Sequence, residues 1–353
     1  MEHTKLVTPA ELEDFADRRD SEPVIPELVA TLVNLSVPDL TQCRIPYGDS
    51  IGLPGLDGIV QTENGFRQYV PRQTSYWEIG RSENAQNKAT RDYKKRTENT
   101  PVAERGKVTF VFVTPRSKDW NQPSQTTWIQ ERIDDGWKDI KIIDGIQLCE
   151  WLRDFPGVGK WLLQKIGLVD TNTGFRTPAE HWSHVSQIVG GNDPPLPPQI
   201  FLVGRENACQ QLKRLFQNEA QQLILSIESE NDAEDFVAAF LESLDEITQR
   251  AFSSRCLFIS DLETWNTFSS LRFSHILVAN PRLNLVDLNE QQHLAALAHG
   301  HSIIIPASGA WSHGGEKVIP KMNYPAASYG VSNKFNCCAC SLTYSLSRPW
   351  SLT

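Results

Sequence analysis

GLDGIVQTENGFRQYVPRQTSYWEIGRSENAQNKATRDYKKR, residues 55–96, is the most informative part of the chain. Its apolar runs LDGIVQT (56–62) and SYWEIG (75–80) predict β-strands, and FRQYVP (66–71) predicts a hairpin partner for the first run, because Asn-Gly is a strong hairpin signal. A helix rich in Lys and Arg follows over residues 84–99. Asp57 stands at the head of the first run and Glu78 lies inside the last. The stretch therefore predicts two carboxylates on neighbouring strands, backed by cations.

The segments around this stretch predict a mixed α/β unit over residues 1–168. TPAELEDFADRRDSE and VIPELVATLVNLSV predict two amphipathic helices, with a capping box from Thr8 to Glu11 and Pro26 in the first turn of the second helix. KVTFVFVTPR (107–116) predicts a fully buried strand, because its apolar run scarcely alternates. WKDIKIIDG (137–145) predicts another strand. A helix broken near Pro156 completes the unit.

The second half of the chain predicts a separate parallel α/β unit. Residues 169–199 are rich in Pro and Gly, which predicts a stiff linker containing one short helix, HWSHVSQIV. From residue 200 to 328, strands alternate with helices, a pattern typical of a parallel sheet with helices on its faces. Residues 329–353 predict an irregular tail. The predicted fold class is therefore α/β in two domains.

Composition limits the possible settings of the protein. The 353 residues are 40% apolar and 22% charged, and no apolar run approaches the roughly 18 residues of a membrane span. Seven cysteines, mostly scattered, are typical of a reduced compartment, and the N-terminus does not resemble a signal peptide. We therefore expect a cytoplasmic protein that does not contact a membrane.

Charge is distributed unevenly along the chain. The net charge of −9 argues against a nucleic acid partner, but residues 67–118 carry 12 basic and five acidic side chains. This basic block encloses Glu78 and follows Asp57 closely. A solvated helix face is the alternative explanation of such a run.

Two carboxylates on neighbouring strands, backed by cations, match the needs of a site that hydrolyses phosphodiesters. This reaction requires an activated water and relief of the negative charge that builds on the phosphoryl group. Mg²⁺ takes oxygen ligands and keeps several waters, so Asp57 and Glu78 would suffice to hold it if their strands pair. A nearby Lys would add electrostatic stabilisation. Read singly, Asp57 is also explained as a turn residue, and Lys88 as an ordinary surface lysine.

Residues 5–168 resemble the PD-(D/E)xK restriction-endonuclease superfamily, in particular the Mrr-like nuclease domains of bacterial anti-phage proteins. The resemblance is carried by GLDG (55–58), by VP (70–71) through SYWEIG (75–80), and by Lys88, Asp92-Tyr93-Lys94 and Arg96-Thr97. It implies a metal-dependent DNA endonuclease that uses Mg²⁺, with Mn²⁺ as a substitute. Asp57 and Glu78 would hold the metal, and the DNA backbone would contact four cations, namely Arg91, Lys94, Lys95 and Arg96.

The chain departs from the family pattern at Gly80, where the family has its lysine. Lys88 or Lys94 on the following helix would replace it, and we favour Lys88 because it lies nearer the strand. Glu27 would supply an outer acid, or is simply a carboxylate favoured by a helix N-terminus. A non-catalytic module that binds DNA or protein is the alternative function.

Residues 200–325 resemble the degenerate P-loop NTPase-like region of STAND-type signalling proteins, through FLVGRE (201–206) and RCLFISDLETW. The strand QQLILSIES (221–229) should run into a phosphate-binding loop, but acidic residues follow it and no Gly-Lys-Ser/Thr is present. The resemblance implies a scaffold or sensor rather than a motor, within a homo-oligomer or a larger defence complex. A nucleotide bound by an unusual loop is a third alternative.

Overall fold

Two five-stranded sheets, each covered by helices, form the architecture of the protein. The computed structural model describes residues 4–47, 55–168, 174–188, 195–218, 221–227, 231–280, 283 and 290–308. Within these residues the chain is α/β, as the sequence predicted, and both sheets mix parallel and antiparallel pairs. The predicted tail at residues 329–353 lies outside the described residues.

The first sheet has its strands in chain order, and its pairing changes once, from antiparallel to parallel. Its strands are β1 (Leu40–Arg44), β2 (Gly58–Thr62), β3 (Gln73–Ile79), β4 (Val108–Val113) and β5 (Asp139–Ile143). The pairs β1–β2 and β2–β3 are antiparallel, whereas β3–β4 and β4–β5 are parallel. Its helices are α1 (Pro9–Ala16), α2 (Ser21–Ser36), α3 (Ala85–Asn99), α4 (Val102–Arg105), α5 (Gln122–Gln130), α6 (Gly145–Asp154) and α7 (Pro156–Lys165).

Alternation along β4 divides the core of this half into two layers. All six residues of β4 are buried, which confirms the predicted buried strand. Val111 and Val113 pack with apolar residues of α1, α2, α6 and α7, while Phe110 and Phe112 pack with those of α3 and α5. Successive side chains of a strand point to opposite faces, so both faces of the sheet are covered.

Two local predictions for this half were wrong. FRQYVP is not a strand: Phe66 and Val70 exchange main-chain hydrogen bonds of 2.8 and 3.0 Å that close a tight loop, and β2 pairs with β3 instead. Pro26 does not lie in the first turn, because α2 begins at Ser21 and contains it. Burial of the apolar residues on both sides of Pro26 offsets the hydrogen bond that its ring removes.

The second sheet has the order β6-β8-β9-β10-β7. Its strands are β6 (Phe175–Arg176), β7 (Gln222–Ile227), β8 (Cys256–Ile259), β9 (Ile276–Ala279) and β10 (Ser302–Ser308). All pairs except β6–β8 are parallel, as the alternation of strands and helices predicted. Its helices are α8 (Pro178–Ile188), α9 (Gln199–Leu202), α10 (Glu206–Phe216), α11 (Asp232–Glu242), α12 (Glu246–Ser253), α13 (Leu262–Ser269) and α14 (Glu290–Ala298).

Part of the segment predicted as a linker belongs to the second sheet and to the helices that cover it. β6 extends the second sheet beside β8, and α8, which includes residues 181–188 of the predicted short helix, packs against α11. The two halves also touch directly. The ring of Phe273 lies 6.1 Å from that of Phe66, and Nζ of Lys160 donates to the main-chain oxygen of Phe175 at 2.9 Å.

None of the helices in the described ranges is long and apolar enough to span a lipid bilayer.

Candidate functional site

Asp57 and Glu78 lie side by side at one end of the β2–β3 pair. In this antiparallel pair Gly58 is opposite Trp77, so the next pair outward is Asp57 and Glu78. Residues directly opposite each other in an antiparallel pair point to the same face. The main-chain N–H of Ile79 donates to Oδ2 of Asp57 at 3.0 Å, which holds that carboxylate against the end of β3. The structure thus brings the two predicted acids together.

Glu78 is the unusual member of this pair, because only 5% of the residue is exposed. Its pKa is raised to about 7, mainly by burial and then by the negative charges of Asp57 and Asp92, while Arg96 opposes the rise. A carboxylate that titrates near neutrality in a charged cluster is typical of functional sites. The uncommon acid inside an apolar strand was the signal for it in the sequence.

Arg96 is the direct partner of Glu78. Its Nε donates to Oε1 of Glu78 at 2.7 Å, its Nη2 donates to the same oxygen, and Nη2 also donates to the main-chain oxygen of Gly55 at 2.8 Å. Only 8% of Arg96 is exposed. The sequence grouped Arg96 with the cations expected on the DNA backbone, but the structure places it inside the site.

Lys88 reaches the same end of the sheet from α3. A Cβ atom on Gly80 would lie 2.8 Å from Cγ of Lys88 and 3.0 Å from Cζ of Phe112. The first distance is too short for a real Cβ contact and the second is tighter than most such contacts, so the missing side chain of Gly80 leaves room for the Lys88 stem. Nζ of Lys88 donates to the carboxylate of Asp92, one turn along the helix.

The face of α3 that carries Lys88, Asp92 and Arg96 therefore covers the two strand carboxylates. These three residues are spaced four apart and share one face of the helix. Arg91, Lys94 and Lys95 point elsewhere and are exposed. Among the described residues, the ion pairs of Arg91 and Lys94 are long, at 4.0 Å to Asp92 and 3.9 Å to Glu98. The exposed cations form a basic ridge beside the site.

Aromatic packing holds α3 in this position. The ring of Tyr93 lies 5.0 Å from that of Phe110 and 5.4 Å from that of Trp128, and both contacts are edge-on. The indole N–H groups of Trp128 and Trp137 donate to hydroxyls of α3, those of Thr90 and Thr97, at 2.9 Å. These tryptophans are buried, so they serve packing rather than base stacking.

No known protein-family model and no curated protein matches this chain. The site is therefore interpreted from its own residues.

The two carboxylates suit a hard cation. Mg²⁺ is held by one or two carboxylates and keeps several waters, so a site with two acids needs no third side-chain ligand. Within the described ranges, no group of three or more His, Cys, Asp or Glu side chains could hold a metal ion. Glu27, the predicted outer acid, is half-buried in α2, and none of its described contacts joins it to Asp57 or Glu78. Asp57 and Glu78 thus fit Mg²⁺ as a two-carboxylate site.

A second buried charged network lies where α11 begins; the sequence indicated its acids but not their partners. Glu234 is 1% exposed and accepts hydrogen bonds from Nη2 of Arg176 at 2.9 Å and Nδ2 of Asn280 at 2.7 Å. Nε2 of His181 lies 2.7 Å from Oδ1 of Asp235. Carboxylates therefore occupy the helix start that, in the predicted NTPase resemblance, would face phosphate. Residues 228–230, between β7 and this helix, lie outside the described residues.

Proposed function

We propose that the chain is a Mg²⁺-dependent endonuclease that cleaves DNA, acting as the effector of a bacterial anti-phage system. The observation that carries the proposal is the convergence of Asp57, Glu78 and Lys88 at one end of the sheet, with Gly80 leaving room for the lysine. The resemblance of residues 5–168 to Mrr-like nuclease domains supplies the substrate class. The two acids and the lysine are the three groups that such a site requires.

Each group has a distinct task in this proposal. Asp57 and Glu78 would hold Mg²⁺, or Mn²⁺ in its place, and the ion would supply an activated water and relief of the charge on the phosphate. Lys88 stabilises the charge that develops on the phosphoryl oxygens, through an ammonium held close to the strand end. To act, Nζ of Lys88 must exchange Asp92 for the substrate.

The exposed cations of α3 supply DNA affinity. Arg91, Lys94 and Lys95 lie beside the site and have only long ion pairs or none among their described contacts. Contacts to backbone phosphates position a duplex without reading its sequence. We therefore expect cleavage with little sequence preference, gated by the rest of the protein.

The second half is proposed to regulate the nuclease rather than to hydrolyse ATP. Its mostly parallel sheet is compatible with the NTPase-like resemblance, but the carboxylates of Glu234 and Asp235 occupy the helix start where phosphate would bind. The direct contacts between the two halves offer a route for regulation. The expected cytoplasmic location, self-association and assembly with other defence proteins belong to the same proposal.

A non-catalytic DNA-binding module is the second candidate, and a specific observation favours it. Glu78 is already paired with Arg96, and Lys88 is already paired with Asp92. In an inactive descendant of a nuclease, internal pairs of this kind would stabilise the site permanently. The two candidates differ in whether divalent metal produces cleavage.

Plasmid nicking is the direct test of the endonuclease. Supercoiled DNA is incubated with the full chain and Mg²⁺, with EDTA as the metal-free control. We expect nicking by the wild type, and its loss in Asp57→Asn, Glu78→Gln and Lys88→Ala. Matched controls are Glu246→Gln and Lys107→Ala, which change exposed side chains of the same types elsewhere. DNA retention without nicking would favour the non-catalytic module.

Moving the lysine tests its role separately. The double variant Gly80→Lys with Lys88→Ala places a lysine where the family has one and removes the Cγ atom that a Cβ at position 80 would strike. Phe112 must still shift slightly, so we expect partial recovery of the activity that Lys88→Ala loses. Failure of a well-folded double variant to exceed Lys88→Ala would contradict the assigned role of Lys88.

A further inference from the structure

One carboxylate oxygen of Glu78 is occupied by an arginine of its own chain. Both hydrogen bonds that the guanidinium of Arg96 donates to Glu78 fall on Oε1. The same guanidinium is fixed by the main-chain oxygen of Gly55, two residues before Asp57. Arg96 therefore joins the segment that carries the first acid to the strand that carries the second.

A guanidinium in this position and a divalent ion compete for the same carboxylate. A ligand oxygen that accepts two charge-assisted hydrogen bonds has less electron density to offer a cation. The fixed positive charge of Arg96 also repels a second cation, and repulsion between charges is strong at a site removed from water. Occupation by Arg96 and occupation by metal therefore exclude each other at Oε1.

The alternative is that Arg96 only compensates a buried acid. Compensation alone predicts that the loss of Arg96 damages the site, because removing one partner of a buried ion pair leaves an uncompensated charge. Competition predicts, in addition, that a divalent cation takes the place of Arg96 and compensates the charge that the loss of Arg96 leaves on Glu78. The position of Asp57 favours competition, because its charge beside Glu78 gives an incoming cation a second ligand.

We propose that Arg96 is a positioning residue that acts as a competing internal cation, holding Glu78 until a divalent ion displaces it. The proposal rests on the proposed function, because it assumes that Asp57 and Glu78 form a metal site. Metal affinity of the resting protein is then low, and loading requires the Arg96 side chain to leave Oε1. The site is thereby kept inactive until Arg96 is released.

Metal binding by the full-length protein tests the proposal without measuring cleavage. Mn²⁺ is titrated into three proteins: the wild type, Arg96→Gln, and the double variant Arg96→Gln with Asp57→Asn. Binding is measured by calorimetry and by the shift in melting temperature that Mn²⁺ produces. We expect Arg96→Gln to bind Mn²⁺ at least about tenfold more tightly than wild type, and the double variant to lose the gain. Arg81→Gln, which breaks a pair with Glu22, is the matched control and should bind as the wild type does.

Arg96→Gln could fail to fold, so a second measurement uses the wild type. The Arg96 Nε–H resonance is assigned by its loss in Arg96→Lys, and Mg²⁺ is then added. We expect the resonance to shift and its proton to exchange faster with water as the metal binds.

The outcomes separate this proposal from the endonuclease. Equal or weaker Mn²⁺ affinity in folded Arg96→Gln, or Mg²⁺ binding to the wild type without a change at Arg96 Nε–H, would overturn the competition alone. If neither wild type nor Arg96→Gln binds a divalent ion, the metal site does not exist and both proposals fail.

Discussion

Two buried histidines at the contact between the two halves make stability depend on pH in a calculable way. His275 and His301 are fully buried and stacked, with ring centroids 5.7 Å apart. Nε2 of His275 donates to the main-chain oxygen of Asp154 at 3.2 Å, and Nδ1 of His301 accepts from the main-chain N–H of His275 at 3.1 Å. The bond that His301 accepts requires its neutral form, because a protonated Nδ1 cannot accept, whereas His275 is kept neutral by burial and by the neighbouring ring.

Burial is the main cause that lowers the pKa of both rings. The pKa of His275 falls to about 3, helped by the neighbouring His301, and that of His301 falls to about 4. The unfolded chain has an ordinary histidine pKa near 6.5, so between these values it binds more protons than the folded protein. The contribution of the two neutral histidines to the free energy of unfolding is therefore fully present above about pH 6.5 and is lost as the pH falls. Between pH 7 and pH 5 the loss is about 2 kcal/mol for each histidine.

Asp154 has the opposite sign, although it lies at the same contact. Burial raises its pKa to about 6, while Arg67 at 2.8 Å opposes the shift. The folded protein therefore binds the proton more readily than the unfolded chain. The contribution of Asp154 is fully present below about pH 3.8 and is lost as the pH rises through 6, so acidification from pH 7 to pH 5 stabilises the protein by about 1 kcal/mol through this group.

Urea unfolding of variants at pH 7 and pH 5 measures both effects as differences. We expect the stability deficit of His301→Gln relative to wild type to shrink by about 2 kcal/mol on going to pH 5. The deficit of Asp154→Asn should instead grow by about 1 kcal/mol. His184→Gln, which changes an exposed histidine, should keep the wild-type dependence. A deficit of His301→Gln that is the same at both pH values would refute the buried neutral pair.

Three further predictions concern the candidate site and its supports. Gly80→Ala should lower the free energy of unfolding in urea by about 1–3 kcal/mol, because the new Cβ overpacks against Lys88, and by less in a Lys88→Ala background. Equal losses in both backgrounds would contradict the packing of Lys88 over Gly80. Asp144→Ala should lower the free energy of unfolding by about 1–3 kcal/mol in the same assay. Asp144 caps α6 by accepting from the main-chain N–H of Gln147 at 3.0 Å, and it accepts from Nε2 of the buried Gln125 at 2.9 Å. An unchanged free energy would contradict that role. Replacing Arg91, Lys94 and Lys95 by Gln should make the slope of log affinity against log salt concentration for duplex binding shallower by about 3, as measured by fluorescence anisotropy. Lys107→Gln should keep the wild-type slope; a change as large in this variant would place DNA binding elsewhere.

Elements with a strong local pattern were predictable from the sequence. The buried run of β4 and the helix break before Pro156 have the expected positions, because apolar periodicity and proline geometry act locally. β1 was not predicted. Its residues Leu40–Arg44 are mostly polar and at least partly exposed, and it is a strand because β2 offers its edge for pairing.

The candidate site shows the same division. Asp57 and Glu78 could be selected from the sequence, because each acid interrupts or precedes an apolar run. Arg96 was also selected, but for solvent-exposed contact with DNA. Its real partner lies 18 residues away on β3, and the packing of α3 against the sheet determines which of its cations turn inward.

Local chemistry in the chain determined most of the strands and helices, and it put one acid at the head of one predicted strand and a second acid inside the next. The tertiary structure alone decided that β2 pairs with β3, that Arg96 neutralises Glu78, and that His275 meets His301. These outcomes depend on distances between residues far apart in the chain and on how much water remains around them. Burial and charge pairing are properties of the packed molecule, and no short stretch of sequence contains them.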